Sequence, residues 1–462
     1  MGLRSPGRAL RRAGRLFGFL IALQLACAGT AFAAAALTPQ ERQAIRSVLP
    51  QVPAEADEAL VARLLAHAAV ETGQRLDPPR INRLWGLTPA RRNLAAEFEA
   101  ARAGGRLAAW LAALAPQHPD YAALQEARRA YALLVARGGW ETVPAGPPLR
   151  PGEDHADVPA LRRRLAAEGF LPAVQADGTG YDEALQAAVL RFQTLRGLEV
   201  DGIVGPATRG ALNIPAATRL AQIEANLERL RWLPRPLAPD RLEVNSAAAV
   251  AVLFEAGKPV LSMRIAVGDL QNNTPMFASD LRTVVVNPPW NVPTSIANAE
   301  ILPKAARDPG YLARNGFRFV DGRLQQQPGP GNSLGRIKFD FPSPYGVYLH
   351  DTPGKAVFAR RIRTVSHGCM RLEKPKELAL RLLAPQGWTA ERLEAAIDAG
   401  QTQRIDLRTS TPLAVVYRTA FMDENGLNLW PDPYGWDRQL SAALASLSPR
   451  TSGAAAAATD CA

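Results

Sequence analysis

The sequence predicts a multi-domain protein: an α-helical first part, a three-helix module, and a mostly-β domain that carries the chemistry. At 462 residues the chain exceeds what one hydrophobic core holds. Apolar spacing changes from three and four residues to two after position 241. The proline-rich "VPAGPPLRPGED" interrupts the helical pattern at 143–154 and reads as a linker.

The formal net charge is +11, but Arg4, Arg8, Arg11, Arg12 and Arg15 all lie in the first fifteen residues. They precede the apolar run "LFGFLIALQLACAG" and then Ala31-Phe32-Ala33. A basic start, a short greasy middle and a small-x-small end mark an export signal over 1–33, cleaved after Ala33. The rival reading is an uncleaved anchor, for which the run is short of the roughly twenty residues a spanning helix needs. The expected product is periplasmic, with no transmembrane segment. Its remaining positive charge is spread without a basic run, which suits an anionic polymer and gives no nucleic-acid signature.

Residues 34–150 read as a helical scaffold, with Leu, Val, Phe and Trp at helical spacing in "ADEALVARLLAHAAV" and "ARRNLAAEFEAARAGGRLAAWLAAL". His67 and His118 have no companion at metal-ligand spacing and read as packing or surface residues. In "DVPALRRRLAAEGFL" Asp157 is placed to cap a helix, and in "YDEALQAAVLRFQTLRGL" Asp182 does the same. "VDGIVGPATRGALN" adds a turn at Asp201-Gly202 and a helix start at Pro206. Residues 219–234 read as a connecting helix with Leu220, Ile223, Leu227 and Leu230 on one face.

The last domain spans 241–440. Leu261, Met263, Ile265 and Val267 alternate as a strand does, and "LRTVVV" and "YGVYLH" read likewise. The Pro-, Gly- and Asn-rich stretch 288–345 has few regular signals and reads as a capping lid. The tail 448–462 has the composition of a disordered segment.

Chemistry concentrates in "TVSHGCMRL", residues 364–372, where a His and a Cys flank a Gly in a chain with five His and three Cys. An exported protein retaining an unpaired Cys369 points to a reactive thiol; Cys461 in the Ala-rich tail reads as incidental. Period two puts Val347 and Leu349 on one strand face, Tyr348 and His350 on the other. His350 can then take the thiol proton and return it to a leaving amine. Asp351 can orient that histidine through its side chain or its carbonyl. The Gly368 and Cys369 amides can face an oxyanion, and Arg371 offers a planar cation for a carboxylate. His367 reads as a hydrogen-bonding residue of the loop. No HExxH or CxxC occurs, so metal catalysis is not expected, and no Ser-x-x-Lys argues for a serine transpeptidase.

Two resemblances follow from these words. Leu161-x3-Leu165-x3-Gly169-Phe170, Phe192-Gln193-x3-Gly197-Leu198 and Asp201-Gly202-x2-Gly205-Pro206-x-Thr208 resemble the peptidoglycan-binding domain family over about 155–214. His350, fifteen residues, then Ser366-His367-Gly368-Cys369-Met370-Arg371 resembles the L,D-transpeptidase (YkuD-like) signature. "VGDLQNNTP", "VVNPPWNVPTSI", "PGPGNSLGRIKF" and "YLHDTP" extend the likeness to the large Gram-negative subtype. It implies a β-sandwich or barrel-like catalytic domain with a capping lid and no cofactor. It implies Cys369 as nucleophile, His350 as proton donor and acceptor, and Gly368 in the oxyanion hole. Tyr348, Arg371, Ser366 and His367 are expected around the substrate. Peptidoglycan stem peptides and other cell-wall synthesis enzymes are the implied partners, and carbapenems the implied inhibitors. The chain departs from many members in having Glu373-Lys374 where an Asn commonly follows the Arg. Transfer to a lipoprotein lysine, hydrolysis, and a non-catalytic wall-binding protein are the competing readings.

Overall fold

A computed structural model describes residues 36–49 and 56–447. The export-signal reading of 1–33 and the tail reading of 448–462, with Cys27 and Cys461, lie outside the described residues. No helix among the described residues is long and apolar enough to cross a membrane.

Fourteen strands follow the helical part among the described residues. They are β1 (Arg241–Asn245), β2 (Val250–Glu255), β3 (Lys258–Gly268), β4 (Phe277–Val286), β5 (Trp290–Asn291), β6 (Phe317–Val320) and β7 (Arg323–Gln326). After these come β8 (Ile337–Asp340), β9 (Leu349–His350), β10 (Thr364–Ser366), β11 (Met370–Leu372), β12 (Gln403–Val416), β13 (Ala420–Asp423) and β14 (Gly426–Leu429).

Nine of them form one sheet in the order β10-β3-β11-β9-β8-β4-β12-β1-β2, and β2 pairs back onto β3, closing the sheet on itself. The alternation read in β3 is what closure demands: Leu261, Met263 and Ile265 are buried while Ser262 and Arg264 face outward. Leu349, Met370, Leu372, Ile337 and Phe339 join that core, and helices Pro375–Leu383 and Ala390–Asp398 add Leu378, Leu383, Leu393 and Ile397. This is the multi-domain architecture with a mostly-β last domain that the pattern predicts.

Three elements differ from the sequence reading. The lid is shorter than 288–345, because Ile337–Asp340 pairs with β4 and β9 inside the main sheet. What remains is not irregular. Strands β5, β7 and β6 form a small sheet, and Val292, Ala297, Ile301 and Leu324 make its own core. Second, the expected connecting helix runs Ala216–Arg231 and is buried nearly all round. Its polar face reaches the C-terminal hairpin and helix: Asn226 Nδ2 donates to Thr419 Oγ1 at 2.7 Å, Gln222 Nε2 to the Trp430 carbonyl at 2.7 Å, and Arg229 to Asp437 at 2.5 Å. Periodicity sees the apolar stripe but not a polar face satisfied from far along the chain. Third, the linker at 143–154 is strapped down: Val143 and Leu149 are buried in the three-helix module.

That module packs helices Val158–Ala167, Glu183–Leu195 and Pro206–Leu212 around Leu161, Leu165, Phe192 and Leu212. Asp182 caps its helix at the Leu185 amide. Asp157 makes no side-chain cap; its carboxylate lies 3.7 Å from Arg209 instead. Gln193 donates to Asp201 and the Ile203 carbonyl while accepting from the Asp201 and Gly202 amides, which ties the Phe-Gln word to the Asp-Gly turn.

Candidate active site

Strands β9 and β11 lie side by side and parallel, with Leu349 opposite Met370 and His350 opposite Arg371. The Met370 amide donates to the Tyr348 carbonyl at 3.1 Å. Because Leu349, Met370 and Leu372 are all buried in the core, alternation turns Tyr348, His350, Cys369 and Arg371 to the other face. Tyr348 and His350 rings are 5.6 Å apart. Cys369 stands immediately before β11, two residues from the Arg371 that is in register with His350. The parallel pairing requires a crossover, and residues 351–369 with β10 supply it.

His350 is buried, and its Nδ1 is 2.5 Å from the Asp351 carbonyl. A carbonyl only accepts, so Nδ1 carries the proton and Nε2 keeps a free lone pair. Burial and then the Arg371 cation push the imidazole down to about 4, against the pull of Asp351. Burial pushes the Cys369 thiol upward, partly offset by Tyr348, Lys338 and Arg371. The resting pair is therefore a neutral thiol and a neutral imidazole rather than an ion pair.

Asp351 orients His350 through its main chain. Its carboxylate accepts from the Arg336 amide at 2.8 Å, the Thr352 amide at 2.7 Å and Lys355 Nζ at 2.5 Å. A Cβ at Gly335, where φ is +64°, would overlap that carboxylate. The glycine of "NSLGRIKF" is thus a close-approach residue.

The turn before the cysteine corrects three expectations. Ser366 is buried, not turned to the substrate: its hydroxyl donates to the Cys369 carbonyl at 2.6 Å and accepts from the Gly368 amide at 3.2 Å. The Gly368 N–H is therefore occupied, and of the expected oxyanion pair the Cys369 N–H is the one left without an acceptor among the described residues. His367 points to the lid, with Nε2 2.8 Å from Glu300. Gly368, at φ +100°, turns the chain, and its carbonyl accepts from Thr274 Oγ1 at 2.9 Å.

Sequence reasoning missed four neighbours. Lys338 pairs in register with His350 from β8, and its ammonium sits 4.4 Å from the Tyr348 ring centre. Trp290 from the lid faces the Tyr348 phenol, and Glu300 adds charge near Arg371. Thr274 braces the turn. Only Lys338 left a signal, the buried–open alternation of Ile337-Lys338-Phe339-Asp340. Arg371 Nε is buried without a hydrogen-bond partner among the described residues.

Residues 239–397 match the family model for the L,D-transpeptidase catalytic domain. Residues 154–212 match that for a "putative peptidoglycan binding domain", and 27–127 that for a scaffold domain. The chain is 32% identical over 243 residues to a "Putative L,D-transpeptidase" of Haemophilus influenzae, covering 48% of this chain and 49% of that one. It is 48% identical over 65 residues to an N-acetylmuramoyl-L-alanine amidase of Bacillus licheniformis, covering 14% of this chain and 18% of that one. A solved L,D-transpeptidase from Xylanimonas cellulosilytica aligns at 18% identity with a TM-score of 0.20, covering 59% of this chain and 99% of that one. The chain thus spans about half the length of the first curated relative and under a fifth of the second.

Proposed function

We propose that this chain, whose residues 239–397 and 154–212 match the L,D-transpeptidase catalytic and peptidoglycan-binding family models, is a periplasmic enzyme that joins wall stem peptides through a Cys369 thioester. The observation that carries the reading is the parallel β9–β11 register, which sets the thiol and an imidazole with a free Nε2 on one face.

The sulfur of Cys369 attacks the carbonyl joining the third residue of a stem tetrapeptide to its terminal D-alanine. His350 Nε2 takes the thiol proton as the S–C bond forms. The Cys369 N–H faces the developing oxyanion, a contribution of about 3 kcal/mol for one such donor; the Gly368 N–H joins it if its bond to Ser366 opens. Collapse breaks the C–N bond, His350 hands its proton to the departing amine, and D-alanine leaves. An amine of a neighbouring stem's third residue then attacks the thioester. Its proton passes through His350 back to sulfur, and a 3–3 cross-link remains.

The test is incubation with purified tetrapeptide muropeptides and mass analysis of the products. A dimer lacking one D-alanine supports cross-linking. A tripeptide makes the acceptor water, and no product leaves a wall-binding protein. Cys369→Ala is expected to abolish the mass shift given by a carbapenem; acylation surviving in that variant would remove Cys369 from its role.

A further inference from the structure

Three adjacent strands place Lys338, His350 and Arg371 in one row. Lys338 is in register with His350 across β8–β9, and His350 with Arg371 across β9–β11. Ile337, Phe339, Leu349, Met370 and Leu372 are all turned into the core, so the row lies on the same face as Cys369. A histidine expected to accept a proton is thus flanked by a cation on each side. For a base alone this is a poor environment, since each positive charge opposes its protonation. The arrangement makes sense if an anion arrives with the substrate.

The proposed chemistry says where that anion falls. The leaving amine must come within hydrogen-bond distance of His350 Nε2 to receive its proton. When the leaving group is a chain-terminal amino acid, its carboxylate is attached to the carbon bearing that amine. It therefore lands beside the imidazole, between the flanking cations.

Lys338 is built to meet it. Its side chain is 22% exposed and in the free protein is paired with Asp340 at 2.6 Å. Asp340 has a second cation, Arg404, at 3.1 Å. Lys338 can turn to a substrate without leaving a carboxylate unpaired. On the other flank, Arg371 keeps a buried Nε without an acceptor.

Resting on the transpeptidase reading, we infer that Lys338 is a specificity-determining residue that binds the C-terminal carboxylate of the leaving residue. It restricts the enzyme to peptides whose scissile bond is the last one. A peptide extended by one residue presents an uncharged amide at that place.

The test compares two donors, a stem tetrapeptide with a free C-terminus and the same peptide as its C-terminal amide. D-alanine or D-alaninamide release is followed in the wild type, Lys338→Met and Lys338→Arg. A charge-assisted hydrogen bond predicts a wild-type preference for the acid of about 10- to 100-fold in kcat/KM. In Lys338→Met that preference is expected to fall at least tenfold, through loss on the acid donor, while Lys338→Arg retains it. A purely structural role, or one in stabilising the thiolate, slows both donors alike and keeps the ratio. An unchanged ratio in Lys338→Met, or complete loss on both donors, overturns the inference. A wild type active on both without preference also overturns it but leaves the transpeptidase reading standing. A wild type inactive on both sinks that reading, and this one with it.

Discussion

At His350 and Cys369 burial acts on two proton equilibria in opposite directions. It disfavours the imidazolium on one residue and the thiolate on the other, so both groups stay neutral across the physiological range. The consequence is measurable. With the thiol raised above its ordinary value, the thiolate fraction at pH 7 is small and grows about tenfold per pH unit. Alkylation of Cys369 by iodoacetamide is expected to rise with unit slope from pH 7 through 9, without a plateau. His350, held near 4, contributes no inflection in that window. A thiolate–imidazolium pair would instead give a plateau at neutral pH, and its observation would contradict the neutral pair. That Cys369 and His350 belong to one neighbourhood is readable from residue type and spacing alone. The state of their protons is not, because it depends on burial and on Arg371 and Lys338, which arrive from other strands.

The elements around the site hold it through main-chain bonds as well as through charge pairs. The loop entering β8 carries Gly335 against the Asp351 carboxylate, which in turn gathers the Arg336 and Thr352 amides. Gly335→Ala adds a Cβ at a positive φ into an occupied space, two costs that together amount to about 2–4 kcal/mol. The variant is expected to lose stability by that amount in denaturant unfolding and to acylate more slowly at matched folded fraction. A change of stability under about 0.5 kcal/mol would show the approach to be loose. The lid's small strands escape periodicity analysis for a plain reason. Two- and four-residue strands are too short to display an alternation, and their apolar residues cover only a local core.

Across the whole molecule, a cluster of buried charges joins the three-helix module to the helical scaffold. Glu168 accepts from Tyr131 Oη at 2.6 Å and from Arg196 at 3.0 Å, and forms an ion pair with Arg164 at 2.8 Å. Burial alone would raise its carboxyl, but Arg196 and Arg164 overcome this and hold it down to about 2. Arg196 also reaches the Leu427 carbonyl of the C-terminal hairpin, and Gly197 lies against Trp430. Removing the anion strands two buried guanidinium groups. Glu168→Gln is therefore expected to cost about 3–5 kcal/mol and to expose the module's boundary to limited proteolysis. A loss below 1 kcal/mol with unchanged cleavage would mean that the cluster is not what fixes the module.

Local properties of the chain determined a good deal. The helical first part, the three-helix module, the alternating strands of the barrel and the pairing of a rare His with a rare Cys are all written in spacing and composition. These are short-range signals, set by backbone period and side-chain chemistry. Tertiary structure alone decided that the helix at 216–231 is a buried spine, that β8 leaves the lid for the barrel, and that the Gly368 amide is held by Ser366. It also decided that Lys338 stands beside His350. Each of these depends on which distant segment satisfies a polar group or fills the next place in a sheet, and neither register nor crossover connection has a signature in the residues themselves.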